Sequence, residues 1–82
     1  MTELLDAAVE VRQGAGGVVR AIRLDGRWHA LERVTARWRV ETDWWRAPVR
    51  RDYWRCLLAG GECVELCLDR AGGAWTLVRR YD

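Results

Sequence analysis

Apolar and polar residues alternate with period two along most of this chain, and short Gly-containing stretches interrupt the alternation. That pattern reads as β-strands joined by tight turns. Residues 18–24 (VVRAIRL) and 27–34 (RWHALERV) flank Asp25-Gly26, a dipeptide favoured in type I′ hairpin turns. A two-residue loop there sets Ile22 opposite His29, Arg20 opposite Leu31 and Arg23 opposite Trp28. Ile22, Leu24, His29 and Leu31 then share the core side. Arg23 and Trp28 form a cross-strand cation–π pair outside. Over residues 37–42, Trp38 and Val40 point one way and Arg37, Arg39 and Glu41 the other, which makes Trp38 a core-facing residue of a half-buried strand. Continued through Asp43, the same alternation turns Trp44 inward and Trp45 outward. The single proline, Pro48, then closes a loop over residues 46–50, because it has no N–H to give a ladder.

Residues 52–58 and 63–69 form a second hairpin around Gly60-Gly61, and Ala71-Gly72-Gly73 leads into a closing strand at 75–81. Both parities of the second hairpin carry apolar residues: Trp54, Cys56 and Leu58 on one, Tyr53 and Leu57 on the other. It is therefore covered on both sides, by the fold or by a partner. Residues 9–13 read as a first strand ending at the glycines of 14–17. Residues 1–8 stand apart as a lead-in, compatible with a short helix capped by Thr2 or with disorder. The sum is an all-β domain over residues 9–82, a six- or seven-stranded antiparallel barrel or a strongly curled meander sheet.

Composition narrows the class. Half of the 82 residues are hydrophobic and 32% are charged, the profile of a globular protein. A chain of this length buries roughly 60–65% of its unfolded surface, enough for a small core without staples. No apolar run approaches the roughly 18 residues of a membrane span. The N-terminal residues are acidic and lack the basic start of a secretory signal, so a cytoplasmic location is expected. Three cysteines, Cys56, Cys63 and Cys67, fit reduced thiols better than a disulfide framework. The net charge of +2 argues little for nucleic acid by itself. All fourteen basic residues are Arg, however, which stacks and forks where Lys does not.

Cys56, Cys63, Cys67 and His29 supply zinc-type ligands, but Cys63 and Cys67 lie in one strand, roughly 13 Å apart, unlike paired ligands on tight turns. Small buried hydrophobes describe these cysteines better, and no metal or cofactor is expected. Cysteine nucleophilic catalysis needs a base within reach, and His29 falls on the core side. No paired carboxylates, phosphate-cradling loop or nucleophile elbow accompanies them, so the expectation is a non-enzyme. Residues 38–56 hold four of the six Trp and five Arg. Packing explains Trp38, Trp44, Trp54 and Trp75. An outward Trp45 with Arg46, Arg50, Arg51, Arg55 and Trp28 makes the candidate binding patch, equipment shared by protein hot spots and by single-strand nucleic-acid binders.

The same run, with the Arg37-Trp38 pair, Trp44-Trp45-Arg46, Tyr53-Trp54-Arg55, Glu65-Leu66, Asp69-Arg70 and Trp75 ahead of Tyr81-Asp82, resembles a small uncharacterised bacterial domain. A similar arrangement closes ImuB-type proteins, inactive relatives of the Y-family polymerases. With the preceding hairpin, the resemblance covers about residues 9–82. It implies a role in DNA damage tolerance and translesion synthesis through contacts to a protein of the mutagenesis complex. A single-stranded nucleic-acid ligand and a homodimer are the alternatives. His29, Cys63 and Cys67 depart from the larger or aromatic side chains usual at those positions.

Overall fold

The computed structural model describes residues 2–42 and 49–81, with side chains from residue 6 onward. It is an all-β fold. Seven antiparallel strands, β1 (Thr2–Ala8), β2 (Val11–Gln13), β3 (Val19–Leu24), β4 (Arg27–Thr42), β5 (Val49–Leu58), β6 (Cys63–Asp69) and β7 (Trp75–Tyr81), make one strongly curled sheet in the order β1-β7-β6-β5-β4-β3-β2. A 3-10 turn at Ala15–Gly17 joins β2 to β3. β1 and β2 are consecutive in the chain but lie at opposite edges of the sheet. The residues between them bind both edges: Val9 N donates to Trp75 O at 3.2 Å, and Arg23 N donates to Glu10 O at 3.0 Å. Residues 2–13 therefore tie the two ends of the curl together. Residues 2–8 are a strand, against the helical or disordered lead-in their composition allows. Five register pairs with β7 impose the extended form on a segment whose sequence does not alternate.

The first hairpin has the expected turn. Asp25 (φ 53°) and Gly26 (φ 77°) are both left-handed, as a type I′ turn requires. Ile22 lies opposite His29 and Arg23 opposite Trp28. The ladder stops at Ala21–Ala30, so Arg20 does not reach Leu31 as expected; β3 leans instead toward β2, where Gln13 pairs with Val19 across a bulge. Arg23 is not the cation on Trp28 either. It turns to Glu10 (3.4 Å), and Arg12, one strand further out, lies 4.1 Å over the indole ring.

The core is aliphatic. Ile22, Leu24, Cys56, Leu58, Val64, Leu66 and Leu77 are buried, and Trp54 and Trp75 flank them with ring centroids 5.1 Å apart. β5 and β6 explain the pattern by parity, since Cys56 faces Val64 and Trp54 faces Leu66 on the core side. β4 departs from expectation. It runs on without a break, with bulges between Leu31 and Arg33 and between Val34 and Ala36. Two extra residues restore the original parity, so Arg37, Arg39 and Glu41 take the core-side face and Trp38 and Val40 the outer one. Trp38 is 37% exposed and is not core. Val49 and Arg50 belong to β5, paired with Thr42 and Glu41, rather than to a loop. Trp44 lies outside the described residues.

Candidate functional site on the outer sheet face

The alternate residues of β4, β5, β6 and β7 assemble a second layer outside the core. Trp38 is directly opposite Tyr53, and the two rings stack with centroids 5.5 Å apart and planes 3° from parallel. Along the neighbouring row, Arg55 lies opposite Ala36 on one side and Glu65 on the other. The small Ala36 side chain does not crowd the guanidinium, whose carbon sits 5.9 Å from the Trp38 ring and 5.5 Å from the Tyr81 ring. Arg55 is thus flanked by two aromatic rings, an arrangement suited to a planar delocalised cation.

Glu65 anchors this layer. It is 4% exposed, buried on the outer face together with its strand neighbour Cys67 at 6%. Its Oε1 accepts from Arg55 Nη2 (3.0 Å), Arg55 Nε (3.3 Å) and Tyr81 Oη (2.5 Å), and its Oε2 lies 3.7 Å from Arg79 Nε. Burial pushes the Glu65 carboxyl up. The hydrogen bonds from Tyr81 and Arg55, with the Arg79 charge, outweigh it and hold the group below the usual carboxylate range. Glu65 is an ionised structural anchor that fixes Arg55, Arg79 and Tyr81 in place.

A second ionic cluster closes the hairpin end of the core-side face. Asp52, also buried, accepts from Arg39 Nε at 2.8 Å and lies 4.0 Å from Arg70 Nε, while Arg70 Nη1 donates to Glu41 at 3.0 Å. A third, Arg80 with Glu62 (2.6 Å) and Asp25 (3.3 Å), ties β7 to two turns. A cleft of about 260 Å³ opens on the core side between residues 16–19 and β4–β5; Arg37 lies over the Trp54 ring at 5.1 Å at its wall, and buried Cys56 and Leu66 help line it.

The residues of the expected patch are dispersed. Arg51 and Arg55 lie on the outer face beside the Trp38–Tyr53 stack. Arg50 takes the opposite parity, facing Glu41. Trp28 is ten residues from Trp38 along β4, roughly 30 Å at the rise of an extended strand, and stacks under Arg12 instead. Trp45 and Arg46 lie outside the described residues. Trp38, Tyr53, Glu65 and Tyr81 emerge in their place. One signal was present in the sequence: a hairpin around Gly60-Gly61 puts Tyr53 and Arg55 on the parity opposite Trp54 and Cys56, whereas Glu65 comes opposite Arg55 only because the loop has three residues, 59–61.

Cys56 and Cys67 are buried, and Cys63 is half-buried. All three are free thiols. Burial pushes the Cys56 thiol up to about 11 and raises Cys67 as well, so these two stay protonated and poorly nucleophilic at neutral pH. Among the described residues no three His, Cys, Asp or Glu side chains converge as metal ligands, and no helix is long and apolar enough to cross a membrane. No protein-family model, no curated protein and no solved structure matches this chain.

Proposed function

We propose that this chain is a non-enzymatic interaction module that holds a protein partner on the outer face of β4 and β5. Its setting would be the DNA damage tolerance and translesion synthesis that the sequence resemblance implies. The observation that carries the reading is the Trp38–Tyr53 stack, a rigid aromatic shelf with more than a third of Trp38 in solvent. Aromatic rings and Arg are the residues that protein interfaces enrich at their energetic centres. Arg51 and Arg55 border the shelf.

The chemistry of Arg55 favours protein over single-stranded nucleic acid. Both its Nε and its Nη2 already donate to Glu65. The Glu65 carboxylate offsets that cation within the domain, so Arg55 offers a ligand its flat face more than its charge. A phosphate-binding surface would leave such cations without an internal counter-charge.

The test is capture from bacterial lysate treated with nuclease, using the wild-type chain and Trp38→Ala, followed by a salt titration of the purified pair. A protein retained by wild type, lost by Trp38→Ala and held with little dependence on salt supports the reading. Binding that vanishes with nuclease, or that weakens log-linearly with salt, assigns the shelf to nucleic acid instead.

A further inference from the structure

β4 is a half-paired strand. Its residues 27–30 pair with β3 and residues 31–42 pair with β5, but past Ala30 no described strand borders its other edge. Bulges interrupt the strand near residues 32 and 35, and beyond them it is regular from Ala36 to Thr42. Five of these seven residues are exposed and the remaining two are half-buried. Bulges and charge are how proteins usually blunt such an edge. Here the bulges stop where the regular stretch starts, and that stretch offers backbone donors and acceptors in an extended ladder that no described strand pairs with.

From this edge we infer that the chain forms a two-fold dimer by antiparallel pairing of β4 with β4 of a second copy. The faces restrict the register, and the extent of the regular stretch then fixes it. A two-fold axis normal to the sheet must pass through a residue, because otherwise outer side chains would oppose core-side ones. The midpoint of the regular stretch is Arg39. Centred there, the seven residues pair completely. Arg37 meets the partner's Glu41, and Trp38 meets the partner's Val40, each contact occurring twice. Opposite charges and aromatic with β-branched residues are the favourable cross-strand combinations. Centring on Trp38 instead would set Arg37 against the partner's Arg39.

The one like-charge meeting, Arg39 with the partner's Arg39 on the axis, is already compensated. Each guanidinium arrives bonded to its own buried Asp52 at 2.8 Å. Glu41 takes Arg70 on Oε1, which leaves its second oxygen for the partner's Arg37. Pairing of two seven-residue edges buries less than the roughly 1,200 Å² at the low end of stable interfaces, so association is reversible and concentration-dependent. The dimer would set two Trp38–Tyr53 shelves side by side on a continuous outer face. It does not depend on what those shelves bind.

Sedimentation equilibrium over a wide concentration range reads the mass, and hydrogen exchange reads the edge. The wild-type chain should shift from one to two chains in mass, with amides of residues 36–42 gaining protection as concentration rises. Arg37→Glu and Glu41→Arg should each weaken association by about tenfold or more, since each sets two like-charge pairs across the axis. Mixed in equal amounts, the two variants should form a heterodimer that regains wild-type affinity, because both cross-strand pairs are then opposite in charge again. A wild-type chain that stays monomeric at every concentration overturns the inference, as does a dimer without added protection over residues 36–42. Should both variants fold, by their thermal melts, and their mixture fail to associate, the Arg39-centred register is wrong.

Discussion

The two faces of the β4–β7 sheet are held by different forces. The core side buries branched aliphatic groups, Leu58, Val64 and Leu66 among them, that need no partner atom in a particular place. The outer side is held by directional contacts: a parallel ring stack, a guanidinium between two aromatic rings, and a buried carboxylate that accepts from Tyr81 and Arg55. Burial on the first face is close to proportional to area and supplies most of the stability. The second face contributes less per residue but fixes side chains in a defined geometry at the surface. A small domain thus separates the task of staying folded from the task of presenting a rigid surface.

Truncation on the core side should cost most. Leu66→Ala, at a position with no solvent exposure, is expected to lose about 3–4 kcal/mol of unfolding free energy in chemical denaturation. Glu65→Ala removes the acceptor shared by Tyr81 and Arg55 and should cost about 2 kcal/mol, less than the leucine because the freed guanidinium can turn to water. If it costs as much as Leu66→Ala, the outer layer is a second core and the distinction between the faces fails. Trp38→Ala should cost about 1 kcal/mol, the worth of an exposed ring stack, while removing partner binding.

Acid should test the Glu65 anchor without touching the aliphatic core. The folded Glu65 binds its proton less readily than an unfolded glutamate, so its stabilisation is complete above about pH 4.3 and fades as the pH falls through the lower folded value. Glu65→Gln should flatten the part of the stability profile below about pH 4 in wild-type denaturation curves. The smallest effect belongs to Arg23→Ala, expected within about 0.5 kcal/mol, since its one ion pair among the described residues is with exposed Glu10.

Turn chemistry made the first hairpin legible from sequence. Asp25-Gly26 fixed both the turn and the register, because few other residues accept two successive left-handed positions. Period-two alternation correctly separated Trp38 and Val40 from Arg37, Arg39 and Glu41, but hydrophobicity assigned the wrong face. Nothing local marks the two bulges of β4. One of them is secured by a distant contact, Thr35 Oγ1 donating to the Arg55 carbonyl at 3.2 Å. The partner of Trp28 was misplaced for a similar reason: the competing acid, Glu10, and the competing cation, Arg12, come from a neighbouring segment that only the folded sheet brings near. β1 was illegible because its extended form is imposed by β7 at the far end of the chain. Of the candidate site, Arg51 and Arg55 were readable, whereas Trp38 and Glu65 required the strand register.

The pairing of Thr2 with Tyr81 has a consequence for how this chain comes into being. Loop-closure entropy for that contact spans a separation of 79 residues, so β1 cannot seed folding. The neighbouring strands β4, β5 and β6, linked by hairpins, are the natural nucleus. On a ribosome, β1 emerges before β7 and waits for it. Until then the far edge of β6 and the N-terminal segment both stand open, and that interval is when a nascent copy is most exposed to trapping by a neighbour's strand.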